Sequence, residues 1–585
     1  MFSDKTNVNI LTSLLVAHGV RHVVVCPGSR NAPLAHNFFE HTLLECIPVT
    51  DERSAGFYAL GLAQATRNVV AVCVTSGSAL LNVAPAVAEA AYQHLPMVVI
   101  SADRPPEWIG QLDGQTIRQP GALATLVAKT VDLPVRIGNG SEQWHCNRLV
   151  NEALLAAKYP QGAPVHINVP IEEPLFGFNT PQLPEERVVK VHRASGAANA
   201  CMVARWLLEA ERPMIVVGQY GNGGWLEANG CPKETLKKAL KDVAANSVVL
   251  AERLCLLPMA PERTEEALAM IGGDEEYMPT MIIYAGGTLV SKRLKHFMRK
   301  SHPARVVMTG YGPQLNDVTT HLTDMVEMCS LEDIVMAASA MLETGKDVLT
   351  HEPVERPADK QKEYHDKWQR VMNFAEHFND DFDPPFSQMA AVKYLEQQLD
   401  DMEYDFQTHY ANSTAIRLAN IYASHPVYCN RGTNGIEGSL STAAGFSLAS
   451  GDMVFCVIGD LSFFYDQNAL WNSSLRGNLR ILLLNNGGGA IFRQLQGLEN
   501  SGARDSVVAA AHNTLAQGIC TQNDIGYIKA QNMESMKMGM LRMLTTTTQR
   551  PMVLEVVTNA DDDATTMQQY FKQLIELWQR ENGKR

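Results

Sequence analysis

Apolar runs of four to eight residues recur along this chain, each ending at a glycine, a proline or a polar side chain. "HVVVCPGS" at 22–29, "VVAVCVTSGS" at 69–78 and "MVVISADRP" at 97–105 are continuous rather than alternating, as in strands buried on both faces. Helical stretches such as "ALLNVAPAVAEAAYQH" at 79–94 lie between them. Strand, helix, strand in this rhythm predicts an α/β fold: a parallel sheet with helices on both sides. The rhythm resumes with "PMIVVGQY", "SVVLAERL", "MIIYAGG" and "ARVVMTGYG", and again with "MVFCVIGD" and "RILLLNN". A charged stretch at 346–381 carries few strand signals and reads as a linker that becomes helical. Three doubly wound parallel-sheet domains are therefore expected, at 1–185, 190–345 and 382–585.

Length agrees, since 585 residues exceed what one hydrophobic core organises. The composition, 46% hydrophobic and 19% charged, is that of a globular protein, and no uninterrupted apolar run is long enough to predict a membrane span. A formal net charge of -14 excludes a broad basic surface for nucleic acid, so any anion must be met by a local cluster of cations. The eleven cysteines form no CxxC pair and mostly sit in apolar runs; they read as reduced core residues of a cytoplasmic protein. The N-terminus lacks the basic start of a signal peptide.

Candidate chemistry gathers at strand ends, where parallel sheets bind ligands. One run ends at Gly459-Asp460 and another at Asn485-Asn486, followed by three glycines. A right-handed crossover would bring both ends to one sheet edge, where carboxylate and amide oxygens could share a hard cation such as magnesium. Glycines there would let the backbone come close, with one carbonyl as a further ligand. An aspartate after a strand also serves as a helix cap, and Asn-Gly is a common turn. Likewise Asp51-Glu52-Arg53 precedes a helix rich in small residues, where a first-turn acid is favoured by the helix dipole alone.

Taken together, these motifs and the order of the three blocks resemble the thiamine-diphosphate-dependent decarboxylases and synthases. That family has a pyrimidine-binding domain with an activating glutamate, a central domain, and a diphosphate-binding domain with a GD…NN motif. "CPGSRNAPL" at 26–34, "SADRPPEWIG" at 101–110, "GQTIRQPG" at 114–121 and "NRGTNGIEGSLSTAAG" at 430–445 narrow the resemblance to the synthases of menaquinone biosynthesis. It covers nearly the whole chain and is weakest in the linker. Gly-Asp-Leu-Ser stands where the wider superfamily has Gly-Asp-Gly-Ser, and the menaquinone group shares that departure.

The resemblance implies decarboxylation of 2-oxoglutarate and addition of the succinyl semialdehyde unit to isochorismate, with the cofactor as electron sink. It makes Glu52 the catalytic residue, hydrogen-bonded to the cofactor's pyrimidine nitrogen. It makes Ile436 the apolar prop beneath the cofactor, with main-chain groups at Thr433 and Gly435 against the pyrimidine. Asp460, Asn486 and the carbonyl of Gly488 would hold magnesium or manganese on the diphosphate. Ser29, Arg30, Arg104, Gln115, Lys292, Arg293, Arg417, Arg431, Ile491 and Phe492 match the family's substrate-binding positions. Both substrates carry two carboxylates, for which arginine's fork is suited. Lys292 and Arg293 equally suit the start of a surface helix, and Ile491 and Phe492 a buried turn. The family places each active site between subunits, so a homodimer or homotetramer is expected. Another thiamine-diphosphate enzyme acting on a 2-oxo acid would share Glu52, Asp460 and Asn486 and differ in the arginines. A catalytically silent scaffold would be expected to have lost one of those three.

Overall fold

A computed structural model of the protein describes residues 1–159, 161–191, 196–220, 232–257, 263–310, 316–489, 491–492 and 497–582. Among the described residues sixteen strands form three sheets, and every strand pair within them is parallel. The first sheet has the order β2-β1-β3-β4-β6-β5, made of Glu45–Pro48, His22–Val25, Val70–Val74, Met97–Asp103, Pro164–Pro170 and Lys129–Asp132. The second has the order β11-β10-β9-β7-β8, made of Asp324–Glu327, Arg305–Gly310, Met281–Ala285, Pro213–Val217 and Val248–Ala251. The third has the order β12-β13-β14-β16-β15, made of Phe406–Tyr410, Met453–Gly459, Leu479–Asn485, Met552–Val557 and Gly526–Ala530. The expected α/β fold of three doubly wound parallel sheets is present. Central strands β3, β4, β6, β7, β9 and β14 are buried at every position, which is why their sequences do not alternate.

The three sheets share one buried apolar cluster, running from Val24 and Tyr58 of the first sheet's layers through Leu440 and Val457 to Val216 and Trp368. Trp368 lies on the helix Ala358–Asp381, inside the charged segment read as a linker; its apolar face is core while its polar face keeps the segment hydrophilic overall. The tightest junction joins the helices Glu52–Thr66 and Ser439–Ala449. A Cβ on Gly61 would overlap the carbonyl oxygen of Thr442, and one on Gly445 would overlap that of Tyr58. Glycine at both positions lets the two backbones touch, so the small-residue character of the Glu52 helix belongs to this crossing.

The ten described cysteines are free thiols, nine of them buried; Cys231 lies outside the described residues. Among the described residues no helix is long and apolar enough to cross a membrane.

Candidate active site

Strands β13 and β14 are adjacent, with Gly459 opposite Leu484, so the first residues beyond the two strands, Asp460 and Asn486, emerge together at the carboxyl edge. Asp460 is buried. Its Oδ2 accepts from the backbone N–H groups of Asn486 (3.2 Å), Gly487 (2.8 Å) and Gly488 (2.9 Å), and its Oδ1 from Leu461 N–H (2.7 Å). Burial raises its pKa above the ordinary value, an effect that these N–H donors and the nearby His512 oppose. The Asn486 side chain donates to Asp563 Oδ2 (2.9 Å), which commits its nitrogen and leaves its oxygen for another partner. Gly487 and Gly488 have φ of 78° and 149°, and a Cβ on Gly488 would meet the carbonyl oxygen of Ala509 at 2.8 Å. A carboxylate, an amide oxygen and a backbone carbonyl on one glycine-lined edge fit a hard divalent cation that completes its shell with phosphate oxygens. Among the described residues no cluster of three His, Cys, Asp or Glu side chains could hold a metal without such help.

The turn at 430–436 packs beside this edge. Ile436 is 37% exposed, unlike an ordinary core isoleucine, and its carbonyl accepts from Ser462 of the Gly-Asp-Leu-Ser motif (2.7 Å). Asn412 braces the turn by donating to the carbonyls of Asn430 (2.6 Å) and Gly435 (2.7 Å). Thr433 is exposed, with its own N–H and hydroxyl turned onto Glu89.

Between the second and third sheets lies a cavity of about 740 Å³ whose wall includes Lys292, Arg293, Arg417, Ile491 and Phe492. These residues are separated by up to 200 positions in sequence and share one wall. Lys292 and Arg293 open the helix Lys292–Ser301, whose cap Ser291 accepts from Leu294 N–H (3.0 Å). The Arg293 guanidinium lies over the Phe571 ring, 4.3 Å from its centroid, and pairs with Glu265, which also takes the Ser291 hydroxyl hydrogen. Arg431 donates to Asn412 Oδ1 (3.0 Å) and to the carbonyl of Leu289 (3.4 Å), three residues before Lys292. Burial, and then the Arg431 charge, lower the pKa of Arg417. The Nε atoms of Arg417 and Arg431 are buried donors with no hydrogen-bond acceptor among the described residues, suited to a carboxylate.

The first-domain residues form a separate group. Arg30 is buried and donates to the Ile171 carbonyl (3.0 Å) and to Glu173 (3.0 Å); Arg104 reaches the same carboxylate at 3.8 Å. Ser29 and Gln115 are exposed, Gln115 with φ of 56°. Glu52 opens its helix and accepts from Asn82 (3.1 Å), while its neighbours face the third sheet: Asp51 accepts from Asn468 (2.7 Å) and Arg53 donates to the Tyr465 carbonyl (2.9 Å). No described contact within the chain joins Ser29, Arg30, Arg104 or Gln115 to the Lys292–Arg417 cavity.

Sequence reasoning passed over several groups. Glu89 sits mid-helix in an alanine-rich stretch and Glu265 in a first turn, both ordinary by position. Glu252 directly follows β8 and accepts from Val290 and Ser291 N–H (both 2.6 Å); burial raises its pKa to about 7. Its place at a strand end was a usable signal. Ser413 has φ of 72° just before the helix Thr414–Tyr422, a strained backbone that sequence does not announce. His512 lies 3.5 Å from Asp460, on a loop with no motif.

Comparison with known proteins agrees with this architecture. Residues 5–122 match the family model of the thiamine pyrophosphate enzyme N-terminal TPP binding domain. The chain is 40% identical to a 2-succinyl-5-enolpyruvyl-6-hydroxy-3-cyclohexene-1-carboxylate synthase of Bacteroides thetaiotaomicron and 41% to that of Bacteroides fragilis, over 98% of this chain and all of each relative. Identity to the Porphyromonas gingivalis protein of the same name is 34%, over 97% of both chains. By this identity over nearly its full length, and with the thiamine pyrophosphate enzyme N-terminal domain at 5–122, the chain belongs to the 2-succinyl-5-enolpyruvyl-6-hydroxy-3-cyclohexene-1-carboxylate synthase family of thiamine-diphosphate enzymes.

Proposed function

We propose that the chain decarboxylates 2-oxoglutarate and adds the resulting succinyl semialdehyde unit to isochorismate. The product is 2-succinyl-5-enolpyruvyl-6-hydroxy-3-cyclohexene-1-carboxylate, and the step is an aldehyde-residue transfer in menaquinone biosynthesis. One observation carries this reading: Lys292, Arg293 and Arg417, far apart in sequence, line one cavity with Ile491 and Phe492, only a few residues beyond Asn486 and Gly488. Concentrated cations beside an apolar surface suit substrates with two carboxylates each, on a protein that is acidic overall.

When bound, thiamine diphosphate supplies the electron sink that a 2-oxo acid needs to lose carbon dioxide. The chain's residues bind and orient. Asp460, the Asn486 side-chain oxygen and the Gly488 carbonyl would hold magnesium or manganese, the cation that binds the diphosphate. Glu52 would hydrogen-bond the pyrimidine nitrogen, Ile436 would support the ring, and backbone groups at Thr433 and Gly435 would border it. Arg293, Arg417, Arg431 and Lys292 bind substrate carboxylates from the third-sheet side. Ser29, Arg30, Arg104 and Gln115 close the site from the first domain of a second subunit, which makes a homodimer the smallest competent unit and allows a homotetramer. Separation of the two residue groups within one chain and the exposure of Ile436 support that assembly. A cytoplasmic location accords with anionic, soluble substrates.

The test is to incubate the protein with thiamine diphosphate, magnesium and 2-oxoglutarate, with and without isochorismate, following isochorismate loss and product mass. The succinyl adduct is expected only with both substrates and the cofactor. Carbon dioxide release with isochorismate untouched would overturn the acceptor and leave a different 2-oxo acid decarboxylase or synthase.

A further inference from the structure

The turn 429–433, which leads into the cofactor-facing residues, is held mainly from outside its own domain. Glu89, on the helix Ala84–Gln93 of the first domain, is buried to 1% exposure and aims its carboxylate at the turn. Its Oε1 accepts from Gly432 N–H (2.7 Å) and its Oε2 from both Thr433 N–H (2.7 Å) and the Thr433 hydroxyl (2.6 Å). A fourth hydrogen bond comes from Gln93 Nε2 (2.5 Å), one turn along the same helix. From the central domain, Gln219 donates to the Cys429 carbonyl (2.9 Å), so all three domains meet at this turn. Gly432 is tightly enclosed, since an added Cβ would lie 2.9 Å from both the Glu89 carbonyl oxygen and the Tyr92 Cβ.

A buried carboxylate is costly unless its acceptor sites are filled, and here they are filled by the segment that must be placed. We infer that Glu89 is a positioning residue that clamps the 432–433 turn, so that the backbone at Thr433–Gly435 and the Ile436 side chain are set for the pyrimidine before cofactor arrives. The inference rests on the reading that 433–436 border the cofactor. Glu89 touches neither the diphosphate edge nor the cationic cavity in the described contacts, so its effect should appear in cofactor affinity. Glutamine in its place keeps the size but offers one acceptor oxygen to four donors, and leaves an N–H facing an N–H.

The experiment titrates thiamine diphosphate with magnesium into apo enzyme and into the variants Glu89→Gln and Thr433→Val, by intrinsic fluorescence, alongside apo-enzyme melting temperatures. Loss of charge-assisted bonds in Glu89→Gln should raise the cofactor Kd about 10- to 100-fold in the folded protein. Thr433→Val removes only the hydroxyl donor and should raise it about 3-fold. A merely structural role would lower the melting temperature and leave the Kd of the folded protein unchanged; that result overturns the clamp. If Glu89→Gln does not fold, Thr433→Val decides: a raised Kd supports the clamp and an unchanged Kd overturns it. Failure of the wild-type protein to bind thiamine diphosphate would instead overturn the functional reading beneath it.

Discussion

Replacing Asp460 by asparagine separates the folding role of this side chain from its proposed role as a cation ligand. In the wild type one oxygen accepts three backbone N–H groups and the other accepts Leu461 N–H. Asparagine can turn its single oxygen to the three donors, which leaves its amide nitrogen against Leu461 N–H. One unsatisfied buried donor costs about 1–3 kcal/mol, and relief of a desolvated carboxylate offsets part of it. At about 2–4 °C per kcal/mol, the apo protein should melt no more than about 10 °C lower. The proposed cation site loses its carboxylate, so metal-dependent thiamine diphosphate binding should weaken by about 100-fold or more, beyond the effect of losing an outer-shell partner. Differential scanning fluorimetry of the apo protein and cofactor titration with and without magnesium measure the two quantities. Normal magnesium-dependent binding in Asp460→Asn would refute the clamp, and collapse of the apo fold would show the carboxylate to be structural.

Further outcomes follow from the same geometry. Glu52→Gln should retain cofactor affinity and lose turnover by about 100-fold or more, the scale of a general acid–base contribution; unchanged turnover removes Glu52 from the reaction. Arg417→Ala should raise the KM of a carboxylate substrate about 10- to 100-fold with the cofactor Kd unchanged, and an equal loss in both would place Arg417 elsewhere. Glu252 is protonated in the folded protein up to about pH 7, against an ordinary 4.5, because burial outweighs its two N–H donors and the nearby Arg431. The unfolded chain releases that proton first, so this group's contribution falls by about 3 kcal/mol between pH 4.5 and 7. Glu252→Gln should therefore gain stability relative to wild type as pH rises through that window, and a pH-independent difference would contradict it. Gly61→Val should destabilise by at least about 1–3 kcal/mol, through overlap with Thr442, as read from urea unfolding; wild-type stability would refute the close helix crossing.

The three-sheet fold was legible because central strands such as β4 and β14 are buried on both faces and so read as unbroken apolar runs. Asp460 and Asn486 were legible for a related reason: polar residues directly after such runs must emerge at the ligand-binding edge. Trp368 was hidden because one helix face is core while its composition is charged. Glu89 and Glu265 were invisible for a different reason. The partners of Glu89, Gly432–Thr433, lie 343 residues away across a domain junction, and Arg293, the partner of Glu265, lies 28 residues on in the same domain; no local pattern encodes either pairing. Lys292 and Arg293 looked like the start of a surface helix, and they are one; Phe571, from the C-terminal helix, makes that surface the wall of a cavity.

The most direct measurement is a crystal structure of the protein with thiamine diphosphate, magnesium and a non-reactive 2-oxo acid analogue. The account predicts magnesium about 2.1 Å from Asp460 and the Asn486 side-chain oxygen, with Glu52 of a second subunit on the pyrimidine and analogue carboxylates on Arg417 and its neighbours. Cofactor bound away from the β13–β14 edge, or an analogue that leaves the Lys292–Arg417 cavity untouched, would contradict it.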